Sequence, residues 1–167
     1  MKKNKPRGTR PSFLDNQHLN NWAILDLANT DDGTLKNFVQ QLYDEGREIG
    51  YNVEFPLEPY FKADIRNLQK VLQEIQKMAN LLRSKESSGK ATSMIVVITN
   101  GRNPIIYNGL KHAGDIELKI CTQVIQQKNI RNLKPATLHN ILLKINSKLG
   151  KNFRLRKCLD LATFFCF

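Results

Sequence analysis

The run Met94-Ile95-Val96-Val97-Ile98 restricts the possible folds more than any other part of this chain. It is uncharged, rich in β-branched residues and followed by Asn100-Gly101, and such a segment is stable as a strand only when both of its faces are covered. It predicts a buried parallel strand. Parallel neighbours need crossover connections, usually helices, and the flanking sequence supplies them. Upstream, Leu68, Val71, Leu72, Ile75, Met78 and Leu82 recur at helical period from Ile65 onward. Downstream, Pro104 stands where a first helical turn would begin, and Ile105, Ile106 and Leu110 are expected to form the core side of the next helix.

The same alternation continues on both sides. Residues 22–27 have strand length, Asp31-Asp32-Gly33-Thr34 offers helix-start chemistry, and Leu35, Phe38, Val39 and Leu42 follow at helical spacing. Residues 52–55 read as a short strand. A second apolar run, 120–125, is followed by polar residues 126–134 and then by Pro135 and Thr137 as helix-start signals. Leu138, Ile141, Leu142, Ile145 and Leu149 make one stripe, and Gly150 is placed as a C-terminal stop. The expectation is a single α/β domain, a Rossmann-like parallel sheet flanked by helices, with ligands gathering outside the carboxyl ends of the strands.

A formal charge of +11 favours a polyanionic partner, because summed Lys and Arg charge attracts phosphates and releases counterions on binding. The excess is uneven. Lys2, Lys3, Lys5, Arg7 and Arg10 crowd the start, and Lys128, Arg131, Lys134, Lys144, Lys148, Lys151, Arg154, Arg156 and Lys157 load the end. Cys121, Cys158 and Cys166 show no CxxC spacing and no even framework, which supports neither a zinc site nor a disulfide scaffold. His18, His112 and His139 are scattered, so no metal or other cofactor is expected. No apolar run approaches the roughly 20 residues that span a bilayer, and the start lacks a signal-peptide core. These features predict a soluble protein of a reducing compartment, cytoplasmic or also nuclear, without a membrane partner.

Within this frame five polar residues stand out: Tyr107, Lys111, Gln123, Lys144 and Lys148. Tyr107 and Lys111 are four apart on one predicted helix, Lys144 and Lys148 four apart on another, so each pair projects from one helical face. Three ammonium groups, an amide and a phenol suit a terminal phosphate carrying a stackable base. Taken singly, each has a plainer reading, since a tyrosine beside an apolar helix is usually packing and paired lysines are usually a solvated face. Ser88-Gly89-Lys90-Ala91-Thr92 lacks the spacing of a phosphate loop and precedes a strand, so it reads as a flexible loop. Asp115 and Glu117 read as surface charge balance.

The segment 94–150 resembles the MID domain of eukaryotic Argonaute and Piwi proteins. The likeness rests on the strand and turn 95–103, on Ile106-Tyr107-Asn108-Gly109-Leu110-Lys111, on Thr122-Gln123, on Lys128-Asn129, and on Leu143-Lys144-Ile145-Asn146-Ser147-Lys148-Leu149-Gly150. A weaker likeness reaches back to about residue 12. The resemblance implies a non-catalytic module that holds the 5′ end of a small guide RNA in RNA-mediated silencing. Tyr107 would stack on the first base and touch the 5′ phosphate, with Lys111, Gln123, Lys144 and Lys148 as further phosphate ligands. Asn100, Gly101, Arg102, Asn103 and Pro104 would form the base-specificity loop, and Gln126 and Asn129 would make secondary guide contacts. In a full-length relative the PIWI domain, which carries the cleavage residues, would be a partner.

The expected organisation is a basic arm over 1–20, the MID domain over 21–150 and a tail outside the family pattern over 151–167. After Gly150 the family usually continues with a second glycine, whereas this chain reads Lys151-Asn152-Phe153, which suggests a truncated isoform or translation through a splice donor. Two rival readings follow. One is a remnant or interaction fragment whose pocket is incomplete without PIWI; the other is a nucleotide-utilising enzyme on the same fold, which would need a glycine-rich phosphate loop and an acid-base pair that the sequence does not show.

Overall fold

The computed structural model describes residues 18–85 and 93–155, with side chains described through residue 150. The expected basic arm before residue 18, the loop around Lys90 and the tail side chains lie outside the described residues. Four parallel strands form one sheet in the order β2-β1-β3-β4: β1 is Asn21–Asp26, β2 Leu57–Lys62, β3 Ser93–Thr99 and β4 Cys121–Gln126. The helices are α1 (Asp32–Glu48), α2 (Leu68–Ser84), α3 (Pro104–Lys111), α4 (Gln127–Arg131) and α5 (Pro135–Leu155), with a π-helical turn over His112–Glu117.

Both central strands are closed in on each side. Every residue of β1 is buried, and β3 is buried from Met94 to Thr99. The side chains alternate between two cores, as the period of a strand requires. Trp22, Ile24, Met94, Val96 and Ile98 pack with Leu35, Phe38 and Leu42 of α1 and Leu138, Leu142 and Ile145 of α5. Ala23, Leu25, Ile95 and Val97 pack with Val71, Ile75, Met78 and Leu82 of α2 and Ile106 and Leu110 of α3. Helices α1, α4 and α5 therefore cover one face of the sheet, and α2 and α3 the other.

Local chemistry starts the helices where the sequence places them. The Asp31 carboxylate accepts from Thr34 N at 2.8 Å, Asn67 from Lys70 N at 3.0 Å, and Asn103 from Ile106 N at 3.2 Å, satisfying backbone donors that an isolated helix leaves unpaired. At the end of β1 the buried Asp26 carboxylate accepts from Ala28 N, Thr30 N and Thr30 Oγ1 at 3.0, 2.6 and 3.0 Å, holding the turn into α1.

Several expectations change. Residues 52–55 form no strand; Val53 makes one bridge to Leu19, whose buried side chain shows that packing begins before Trp22. The strand is instead β2, an edge strand whose Glu58, Pro59 and Lys62 are exposed and hide the alternation that marks a strand. Ile105 lies outside the core, 72% exposed, because the turn that buries Ile106 and Leu110 directs the residue before them to solvent. Gly150 does not stop α5, which runs on to Leu155, so the glycine sits inside the helix. The polar stretch after β4 contains a short helix, α4, anchored by buried Gln127 and Ile130.

Candidate functional site

Topology determines where the predicted site residues meet. Helix α3 begins after the carboxyl end of β3, and β4 runs parallel to β3, so α3 and the π-helical turn must carry the chain back to the amino end of the sheet. Lys111 is the last residue of α3 and arrives beside the start of β4. Helix α5 makes the same return on the opposite face, delivering Lys148 to the same level. Because β4 is an edge strand, no further described strand separates the two faces beyond it, and the two lysines meet around its rim.

The resulting cluster is compact. Lys148 Nζ donates to Thr122 O, the second residue of β4, at 2.7 Å, and the Cys121 thiol donates to Lys148 O at 3.7 Å. Lys111 Nζ is paired with Asp115 Oδ2 at 3.0 Å, with the lysine side chain 29% exposed. Burial, followed by the neighbouring Lys111 ammonium, pushes Lys148 down to about 8. For Lys111 burial acts in the same direction, but the hydrogen bond and charge of Asp115 outweigh it and leave this lysine above its usual value. Burial also raises the Cys121 thiol to about 11, so it stays protonated. Two ammonium groups held this close, with one carboxylate to offset them, form a local site for an anion.

The other predicted residues surround the pair. Tyr107 lies one turn before Lys111 on α3 and is half-buried; Lys144 lies one turn before Lys148 on α5 and is exposed. The members of each pair are separated by about 6 Å along their helix, with Tyr107 and Lys144 toward the carboxyl ends of the strands. Gln123 is buried on the α5 side of β4; its Nε2 donates to Val124 O at 2.8 Å and its Oε1 has no hydrogen-bond partner. The loop Asn100, Gly101, Arg102, Asn103 and Pro104 is exposed at the far end of α3, with Asn103 occupied in capping that helix. Gln126 and Asn129 lie at the carboxyl end of β4 and on α4, about a strand length from Lys148.

Two sequence readings need correction here. The lysine pair sits beside the amino end of an edge strand, not outside the carboxyl ends, because returning helices place their last turns there. Asp115 is not simple surface balance: the π-helical turn brings it onto Lys111, while Glu117 pairs with His112 at 3.1 Å. The four-residue spacing of Lys111 and Asp115 was the available signal. Thr122 entered the sequence reading only as part of the Thr122-Gln123 pair, without a role of its own; its buried Oγ1 has no hydrogen-bond partner among the described residues, and the Cys121 thiol carried no signal toward the site. Gly114 explains the close approach, since a Cβ there would lie 2.4 Å from Thr122 Cγ2.

The arrangement of sheet and helices is shared with known structures. The MID domain of Arabidopsis thaliana AGO5 superposes with a TM-score of 0.67 at 22% identity, covering 83% of this chain and 94% of that one. The chain has an Argonaute MID fold. Drosophila Piwi matches with a TM-score of 0.63 at 19% identity over 80% of this chain and 17% of its own. The MID-PIWI domains of Neurospora crassa (N. crassa) QDE-2 match with a TM-score of 0.63 at 18% identity over 80% of this chain and 35% of their own. The chain therefore spans a minor part of these two longer proteins. The Piwi domain family model matches residues 93–160, a segment that begins with β3, contains the whole lysine cluster and continues past Gly150.

Proposed function

We propose that this MID fold is a non-catalytic module that binds the 5′-phosphorylated end of a small guide RNA. The observation that carries the reading is the meeting of Lys111 and Lys148 at the rim of β4, with Tyr107 and Lys144 each one turn away on the same two helices. A terminal phosphate carries about −1.5 to −2 charge near neutral pH and can accept from several donors at once. In this reading Lys111, Lys144, Lys148 and Gln123 hold the phosphate, and Tyr107 stacks on the first base and touches the phosphate through its hydroxyl. In the same reading the backbone of the loop 100–104 contacts the first base, and Gln126 and Asn129 contact the following nucleotides. A PIWI domain is the proposed partner in a longer protein of this kind.

The test is a titration of the purified chain with a short RNA bearing a 5′ phosphate or a 5′ hydroxyl, at two salt concentrations and with Lys144→Ala alongside. A charge-assisted bond contributes roughly 1.5–3 kcal/mol, which is about tenfold or more in affinity. The phosphorylated RNA should bind at least about tenfold tighter, with Lys144→Ala removing most of the difference. Equal binding of the two RNAs, weakening together with salt, would leave only a nonspecific basic surface.

A further inference from the structure

Asp115 introduces an opposing charge at this site. Among the described residues its carboxylate is the acidic group paired with Lys111, 3.0 Å from Nζ, and its own side chain is 45% exposed. The backbone that carries it is firmly held. Leu118 N donates to Ala113 O and Ile120 N to Gly114 O, both at 2.8 Å, and Ala113 and Gly114 are buried. The absence of a Cβ at Gly114 lets this turn lie against Thr122, with Ile120 O also within 3.3 Å of where that Cβ would be. The Asp115 side chain, by contrast, is exposed and makes its ion pair through the carboxylate alone.

Resting on the phosphate reading above, we propose that Asp115 is a built-in occupant of the anion site: its carboxylate takes the place of a phosphate oxygen on Lys111, and a 5′ phosphate must displace it. An exposed ion pair at helical i,i+4 spacing contributes little and separates readily. A phosphate carries more charge and more acceptor oxygens, so it wins the lysine. Once it has done so, the displaced carboxylate remains tethered within a few ångströms of a dianion, and like charges at that distance repel. Asp115 therefore keeps the two ammonium groups compensated in the empty site and lowers affinity for the ligand. Asp115 is a positioning residue that acts through Lys111.

The experiment compares the wild-type chain with Asp115→Asn and Asp115→Ala, using short RNAs with a 5′ phosphate or a 5′ hydroxyl and checking each variant's thermal unfolding. Two neutral replacements are needed because an asparagine amide could itself donate to the phosphate. Both variants should bind the phosphorylated RNA roughly three- to tenfold tighter, with the hydroxyl RNA unchanged. The gain should vanish in a Lys111→Ala background. A wild-type preference for the phosphate with no gain in either folded variant overturns the role of Asp115 and leaves the phosphate reading intact, as does an equal gain for both RNAs, which reports net charge alone. Weaker phosphate binding in both variants means the carboxylate only orients Lys111. If neither wild type nor variants prefer the phosphate, both readings fall; a preference that emerges only in the variants supports the inference.

Discussion

Lys111 and Lys148 reach each other from opposite faces of the sheet, around the free edge of β4, and share that space with Asp115, Cys121 and the Thr122 carbonyl. Burial, and then the Lys111 charge, make Lys148 costly to keep protonated.

The first prediction concerns the stability of the chain as pH changes. Lys148 titrates at about 8 in the folded protein against 10.5 ordinarily, chiefly because of burial and then because of Lys111. Below about pH 8 the folded chain carries a proton that it holds poorly, and this penalty is relieved as pH rises toward the unfolded value, so the group makes stability increase above pH 8. Cys121, raised from 9.0 to about 11, acts in the opposite sense only above pH 9. Lys148→Met should therefore stabilise the chain at pH 7 by about 1–3 kcal/mol and flatten the rise between pH 8 and 9. Urea unfolding of both proteins at pH 7, 8 and 9 checks this; an unchanged or lower stability of Lys148→Met at pH 7 would count against it.

Lys144 should behave differently from Lys148. It is exposed on α5, so Lys144→Ala should change unfolding free energy by less than about 0.5 kcal/mol, while affecting 5′-phosphate binding about tenfold. Circular dichroism melts run beside the RNA titration separate the two effects. A variant that loses stability as well would place Lys144 in the packing of the helix.

Gly114→Ala should damage the fold at the site. The new methyl would lie 2.4 Å from Thr122 Cγ2, the side chain of a buried residue with little room to retreat, and near Ile120 O. Overpacking of this kind costs typically 1–3 kcal/mol. The π-helical turn should also shift, carrying Asp115 off Lys111. Denaturant midpoints and backbone amide shifts of residues 112–122 report both consequences, and a variant as stable as wild type would show that the turn has slack.

Thr122→Val tests a buried hydroxyl. Thr122 Oγ1 has no hydrogen-bond partner among the described residues, and a buried polar atom in that state costs roughly 1–3 kcal/mol. Replacing it with a methyl of similar shape should leave stability unchanged or raise it by about 1 kcal/mol. A clear loss on substitution would mean that the hydroxyl is satisfied in solution, for example by ordered water.

Much of this was legible in the sequence, for identifiable reasons. The stripes Leu35-Phe38-Val39-Leu42 and Leu138-Ile141-Leu142-Ile145-Leu149 point to buried helical faces and are buried, because helical period leaves no other way to hide them. The β3 and β4 runs appear as strands because residues enclosed on both faces must be apolar. β2 was missed because an edge strand is half solvated and tolerates Glu58 and Pro59. Gly150 misled because glycine weakens a helix only modestly, and packing of Ile145 and Leu149 carries α5 past it.

For the site, the sequence by itself determined which groups were available: lysines and a tyrosine at four-residue spacing on two helices, and an amide on the strand between them. Spacing along a helix is local and survives any tertiary arrangement. What only the tertiary structure decided is that these helices flank opposite faces of one sheet, that β4 is an edge of it, and that Lys111 and Lys148 consequently meet there with Asp115 paired to Lys111. Those relations depend on strand order and on the direction in which each helix returns, which arise from burying both sheet faces at once and are not encoded in any single segment.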